Sequence, residues 1–253
     1  MVIKKKNIIY KMVNAPFARQ GGKNYLKKII VPMLPDENEI DTYVEPFVGG
    51  GSIFYNTPDY KKKVISDVDS EVYTIHKGLK DKSDYINNNI ERNVNQTNFD
   101  KVKDKKDAMS ILQKCKMSFF GNCKNLNKAR TGDKIETDFS KYGPLLKNTT
   151  VLNKDFRSII KKYDSPKTFF YLDPPYEKSE EQGVYRKIKE FITPEDVLES
   201  LKNIKGKFLL SYNDSSNIRN LFSNYKIKKV STRYAMNPEN GKARQVSELL
   251  ISN

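Results

Sequence analysis

The sequence predicts an α/β fold: a mostly parallel sheet with helices on both faces, interrupted by a mainly helical insertion. Short β-rich strings recur at 42–44, 64–66, 151–152, 168–172, 208–211, 226–230 and 247–251. They alternate with helix-like stretches such as 23–33 and 193–202, the pattern of parallel strands joined by crossover helices. Residues 76–148 break that pattern, being rich in Lys and Asn and lacking clear strands. One domain is therefore expected from 1–75 together with 149–253, and a second unit from 76–148. A chain of 253 residues can bury a full core despite only 37% hydrophobic content.

Taken in chain order, the basic N-terminus reads as a frayed, solvated end, with a DNA arm or nuclear signal as the alternative for Lys4-Lys5-Lys6. The apolar stretch after it is broken by Lys11 and Asn14 and is too short for a signal peptide. The string at 42–44 runs into Glu45-Pro46-Phe47-Val48-Gly49-Gly50-Gly51-Ser52. Three consecutive glycines remove every Cβ at the bend, so backbone can lie against a ligand, and a helix is expected to follow with free N–H groups. No Gly-Lys-Ser/Thr follows and the spacing departs from Gly-x-Gly-x-x-Gly, so a phosphate-free, nucleotide-like cofactor fits better than a nucleoside triphosphate. The next string, at 64–66, ends in Asp67. An acid there can bond ribose hydroxyls in a doubly wound sheet or cap the helix beginning near Ser70.

The string at 168–172 stops abruptly at Asp173-Pro174-Pro175-Tyr176. A carboxylate, rigid backbone carbonyls and a flat ring at a sheet edge suit the gripping of a planar amine; an ordinary strand exit is the plainer alternative. Thr193-Pro194-Glu195-Asp196 is a good helix start, with a cap, a proline at the first position and early acids.

Together these motifs resemble a Dam-like DNA adenine-N6 methyltransferase of the D12 class and α group. The family's Pro-Phe-x-x-x-Gly-Gly-Lys element corresponds to Pro16-Phe17-Ala18-Arg19-Gln20-Gly21-Gly22-Lys23, and its Glu-Pro-Phe-x-Gly-x-Gly-Ser to Glu45 through Ser52. Asp155-Phe156, Asp173 through Tyr176, Ser211 through Asp214 and Glu248 through Asn253 follow in order along nearly the whole chain. The resemblance implies a Rossmann-like fold and S-adenosylmethionine as cofactor. It implies cofactor contacts from Arg19, Gly21, Gly22, Lys23, Glu45, Pro46, Phe47, Gly49, Gly50, Gly51, Ser52, Asp67, Asp155, Phe156 and Asp173. The chain departs from the family at Arg19, where relatives carry an aromatic residue, and it has no tryptophan. A guanidinium facing a sulfonium is repulsive, so Arg19 is expected to point away, to pair with the methionine carboxylate, or to weaken binding.

Composition agrees. With 46 Lys+Arg against 31 Asp+Glu the formal charge is +15, which favours a polyanionic partner through salt-sensitive attraction to phosphate; lysine usage in an AT-rich genome is a second source of the excess. In the family the 76–148 insertion recognises the target. The residues expected on double-stranded DNA are Lys116, Phe119, Lys124, Lys128 and Arg130 in that insertion, with Tyr185 and Arg186 in the loop after the catalytic motif. The chain's two cysteines, Cys115 and Cys123, and one histidine, His76, do not make a structural zinc site, and no metal is expected. An intracellular, reducing location follows as the default, in cytoplasm or nucleoid, or in a host cell if the source is viral. No membrane partner is expected; a cognate restriction endonuclease is a candidate partner, and monomer and homodimer both stay open.

The expected reaction moves a methyl group to the exocyclic amine of an adenine that has left the stack. Asp173 and the Pro174 carbonyl would accept its N–H bonds and Tyr176 would stack on the base, with Pro175 the remaining member of the catalytic motif. Within the wider superfamily an initial Asp favours adenine over cytosine-N4, which is the alternative substrate. A catalytically silent DNA-binding module of the same fold is the alternative from another class.

Overall fold

The computed structural model describes residues 2–5, 8–19, 21–176, 192–234 and 244–253. β1 (Val2–Lys5) and β2 (Ile8–Lys11) form a separate antiparallel ladder, where the sequence suggested a frayed end. The other strands are β3 (Thr42–Glu45), β4 (Lys62–Ser66), β5 (Thr149–Leu152), β6 (Thr168–Leu172), β7 (Lys207–Asn213), β8 (Lys226–Tyr234) and β9 (Arg244–Ser252). They make one sheet in the order β5-β4-β3-β6-β7-β9-β8. β3 through β7 pair parallel, and β9 runs antiparallel between β7 and β8. All seven β-rich strings of the sequence lie in these strands.

Strands this apolar form because both faces of the sheet are covered. β6 is buried along its whole length, and its side chains alternate between two cores. Phe169 and Tyr171 join Tyr43, Ile65, Leu209 and Leu250 on one face, whereas Phe170 and Leu172 join Val44, Val64, Phe208 and Leu210 on the other. The second face is covered by α6 (Phe156–Tyr163) and by the helices Pro194–Leu201 and Ser216–Leu221. The start of Pro194–Leu201 carries the expected cap: Thr193 and Asp196 bond each other's backbone N–H reciprocally.

The first face carries α1 (Lys27–Ile30), α2 (Ser70–Asn89), α4 (Ala108–Met117) and α5 (Tyr142–Leu145), with the short α3 (Gln96–Asp100) beside α4. Position 76, where the insertion was expected to begin, falls inside α2. The segment's Ile86, Phe99, Leu112, Phe139 and Tyr142 share one core with Tyr43 and Tyr171 of the sheet.

Three local expectations are altered. The stretch 23–33 holds one turn of α-helix followed by the 3-10 turn Val31–Met33, because Pro32 removes a helical N–H. After the glycines comes the 3-10 turn Phe54–Asn56, not an α-helix. Cys115 and Cys123 are joined as a disulfide across the end of α4, where reduced thiols were expected. Among the described residues no helix is long and apolar enough to cross a membrane.

Candidate active site

The chain steps outward from β3 to β4 to β5, then returns to the other side of β3 with β6 and steps outward again. At such a reversal the loops leaving neighbouring strands diverge and open a crevice at their carboxyl ends. Glu45 through Ser52 leaves β3 and Asp173 through Tyr176 leaves β6, so the topology brings the two sequence motifs to one crevice.

On the β3 side the glycine turn is held from behind. Gly49 donates its N–H to Asp67 Oδ2 at 2.9 Å, and its carbonyl bonds His76 Nε2 at 2.8 Å. A carbonyl can only accept, so Nε2 carries the proton, and Nδ1 accepts from the Tyr55 hydroxyl at 2.8 Å. Burial pushes the His76 pKa down to about 4, which keeps the ring neutral. A Cβ on Gly50 would stand 2.7 Å from the Phe17 carbonyl oxygen, so glycine is required for that approach. Ser52 is buried, its carbonyl accepting from Asn56 Nδ2 at 2.9 Å.

Asp67 follows β4 and also accepts from the Asp69 N–H at 3.0 Å through Oδ1; burial pushes its pKa up to about 6. Asp69 caps α2 by accepting from the Glu71 N–H, and it pairs with the Arg19 guanidinium. Arg19 is thus neutralised by an acid two residues from Asp67. Glu45 and Pro46 are buried, and the Tyr43 hydroxyl donates to Glu45 Oε2 at 2.7 Å. Burial raises the Glu45 pKa well above the carboxylate range. Phe47 is half-buried against Phe156, ring centroids 4.9 Å apart, and Asp155 caps α6 through the Arg157 N–H.

On the β6 side Asp173 meets Lys23, whose Nζ lies 2.6 Å from Oδ1 and also donates to the Gly21 carbonyl at 2.9 Å. Gly22 closes that turn by donating to the Arg19 carbonyl at 3.0 Å. Ser211 Oγ of β7 lies 3.5 Å from the same Oδ1. Burial pushes the Asp173 pKa up to about 6, opposed by the Lys23 charge. Pro174 is buried and Pro175 partly so. Tyr176 donates its hydroxyl to Glu248 Oε2 at 2.8 Å, and its ring stacks on Tyr212 with centroids 5.6 Å apart.

The structure therefore connects the expected cofactor and catalytic residues by contacts around the β3 and β6 loops and gives places in that network to Ser211, Tyr212 and Glu248, which the sequence offered only as motif members, and to His76. Glu248 had a signal: it is a carboxylate inside the apolar run of β9. His76 had none beyond being the only histidine. Of the residues expected on DNA, Phe119, Lys124 and Lys128 are exposed. Lys116 instead turns inward to the Thr137 hydroxyl at 2.8 Å, and burial lowers its pKa to about 8. Arg130 is engaged by Asp133 at 3.0 Å and by the Lys116 carbonyl at 2.9 Å. Tyr185 and Arg186 lie outside the described residues.

Residues 20–236 match the family of D12 class N6 adenine-specific DNA methyltransferases. This chain belongs to that family. As a D12 class enzyme it uses S-adenosylmethionine, and the site is suited to that group: glycine backbone opens the β3 turn, an acid follows β4, and Phe47 offers an apolar wall. It is 24% identical over 287 residues to the type II methyltransferase M.MjaIII of Methanocaldococcus jannaschii, covering 94% of this chain and 98% of that one. It is 26% identical over 175 residues to the type II methyltransferase M.CviBI of Paramecium bursaria Chlorella virus NC1A, covering 62% and 66%. Among solved structures, a precorrin-6y C5,15-methyltransferase from Geobacter metallireducens aligns at TM-score 0.40 and 6% identity over 90% of this chain and 86% of that chain, a likeness too loose to bear on function.

Proposed function

We propose that this D12 class enzyme methylates an adenine swung out of duplex DNA into the crevice between the β3 and β6 loops, with Asp173 as the catalytic acceptor. The observation that carries the proposal is Asp173 itself: a carboxylate at the switch point, engaged by Lys23 and Ser211 through Oδ1. Among the described residues no side chain bonds its Oδ2.

Adenine's exocyclic nitrogen is a poor nucleophile because its lone pair is delocalised into the ring. Donating one N–H to Asp173 Oδ2 and another to the Pro174 carbonyl draws that nitrogen towards tetrahedral geometry and localises the lone pair. Pro175 stiffens the turn that holds both acceptors, and Tyr176 supplies a stacking surface worth about 1–3 kcal/mol, against a flipping cost of roughly a few kcal/mol. S-adenosylmethionine, when bound, supplies a methyl group activated by its sulfonium. That methyl would pass from the sulfonium to the nitrogen, and the proton the nitrogen gives up would go to Asp173 Oδ2, which already accepts its N–H. Positioning and electrostatics do most of this work.

The turn Gly49, Gly50, Gly51 and Ser52, with Glu45, Pro46 and Phe47, is assigned to the cofactor. Asp67 is assigned to its ribose, Asp155 and Phe156 to its adenine, and the Arg19 to Gly22 turn to its methionine end. Residues 76–148 are assigned to DNA recognition, supported by exposed Phe119, Lys124 and Lys128; Lys116 and Arg130 contact DNA in this scheme only after leaving their present partners. The type II relatives favour a companion restriction endonuclease that cuts the same sequence when unmethylated. The test is transfer of labelled methyl groups to mixed-sequence duplex DNA by the unmodified protein and by Asp173→Ala, with nucleoside analysis. N6-methyladenine from the unmodified protein alone supports the assignment of Asp173; equal product from both overturns it.

A further inference from the structure

An ammonium group whose side chain is only 3% exposed needs acceptors around it, because an unmatched buried charge is costly. Lys23 has the Gly21 carbonyl, Asp173 Oδ1 at 2.6 Å and the face of Tyr176, 4.7 Å from the ring centroid. Glu248 Oε2 lies 3.9 Å away. That same Oε2 accepts the Tyr176 hydroxyl at 2.8 Å. Lys23 and Glu248 thus grip the first and last residues of the Asp173–Tyr176 segment from outside it, and they face each other.

We propose, resting on the roles given above to Asp173 and Tyr176, that Lys23 and Glu248 form a positioning bracket: Lys23 fixes the rotamer and negative charge of Asp173, and Glu248 fixes the ring of Tyr176. In this assignment Lys23 serves the target base and not the cofactor, as its place in the N-terminal motif had suggested. By occupying Oδ1, Lys23 leaves Oδ2 for the incoming amine. By holding the phenol oxygen, Glu248 sets the tilt of the ring on which the base stacks. The bracket joins an N-terminal turn, β6 and β9, and so ties the catalytic segment to both ends of the chain.

The groups facing Asp173 set the sign of the test. Lys23 from the N-terminal turn lowers its pKa, as does the bond from Ser211 of β7; Glu248 of β9 raises it. Tyr171 and Tyr176, from its own strand and turn, and Glu45 of β3 face it as well. Removing Lys23 must therefore move the titration of Asp173 to higher pH, and removing the Glu248 charge must move it lower.

The experiment compares the unmodified protein, Lys23→Met and Glu248→Gln across pH 4.5 to 9, reading the Asp173 carboxyl by carbon NMR and methyl transfer under single-turnover conditions. The acid limb is expected to rise in K23M and fall in E248Q. A displacement of about one pH unit corresponds to about tenfold in rate on the acid side. KM for S-adenosylmethionine is expected to stay within about twofold in both variants, since uniform binding is not what is removed. Shifts in the same direction, no shift, or a raised KM for S-adenosylmethionine with an unmoved profile overturns the bracket. Should K23M not fold, the downward shift in E248Q still decides. If the unmodified protein makes no N6-methyladenine at any pH, the catalytic reading fails, while the carboxyl titration still judges the bracket.

Discussion

Acidification should loosen the glycine turn through one residue, His76. Its ring is fully buried between the Tyr55 hydroxyl and the Gly49 carbonyl, and its pKa is pushed from 6.5 down to about 4 by burial and, to a smaller extent, by the Arg19 charge. A depressed folded-state pKa means that the neutral ring stabilises the fold. That contribution is complete above pH 6.5 and is lost as the pH falls through 4. The gap corresponds to about 3 kcal/mol. Because other groups titrate in the same window, the informative quantity is the difference between the unmodified protein and His76→Gln. Gln can donate to Gly49 but does not charge. At pH 7 the variant should be less stable by about 1–2 kcal/mol, having lost the Tyr55 bond. Near pH 4 the deficit should vanish or reverse. Urea unfolding at several pH values measures it, and the chain's only histidine gives an unambiguous ring resonance for the titration. A deficit constant from pH 7 to 4, or a ring midpoint near 6.5, refutes the reasoning.

Other outcomes follow from the same geometry. Gly50→Ala places a Cβ 2.7 Å from the Phe17 carbonyl, so the turn or the N-terminal segment must move. At a cost of about 1–3 kcal/mol, calorimetric affinity for S-adenosylmethionine should fall at least several-fold, and unchanged affinity argues against close packing there. Arg19→Ala releases Asp69 and removes a cation beside His76 and Asp67, so the His76 resonance should titrate above its value in the unmodified protein; an unmoved midpoint excludes the coupling. Breaking the Cys115–Cys123 disulfide, which closes a loop of sequence separation 8, should lower stability by roughly 2–3 kcal/mol on adding reductant. Identical urea midpoints with and without reductant would instead mean that the thiols are free in solution.

The sheet was legible because a strand buried on both faces must be apolar throughout, and the runs at 168–172 and 208–211 can be little else. The two loops of the crevice were legible for a related reason: glycines, prolines and an acid interrupt those runs where strands end. Less visible was anything set by the approach of distant segments. Lys23 reads as one more lysine beside two glycines, and only the fold puts it on Asp173. Lys116 and Arg130 read as a basic face, yet Thr137, Asp133 and the Lys116 carbonyl take up their charged ends. The helix expected after Ser52 became a 3-10 turn, although Tyr55 and Asn56 within it bond His76 and the Ser52 carbonyl. A local pattern cannot report such partners, since periodicity carries no information about contacts far apart in sequence.

One short segment, residues 14–19 and 21–23, meets several parts of the proposed machinery. The Phe17 carbonyl abuts Gly50, Arg19 pairs with Asp69 at the start of α2, and Lys23 holds Asp173. The same segment reaches the region assigned to DNA recognition. A Cβ on Gly121 would fall 2.0 Å from the Ala18 carbonyl, and the Tyr142 hydroxyl donates to the Asn14 carbonyl at 2.8 Å. Gly121 closes the turn that exposes Phe119. A displacement of that turn by DNA therefore presses on Ala18, with the Asp69 pair on one side and the Asp173 pair on the other. Closely packed backbone transmits such a displacement because it has no slack to absorb it. Cofactor and DNA should then bind interdependently, each altering the other's affinity by the same factor. Gly121→Ala disturbs this contact within the region assigned to DNA recognition, so its DNA affinity is measured as well; at saturating DNA it should still weaken the coupling read by titrating cofactor with and without DNA. Equal coupling in the variant and the unmodified protein would show that the two sites communicate by another route, or not at all.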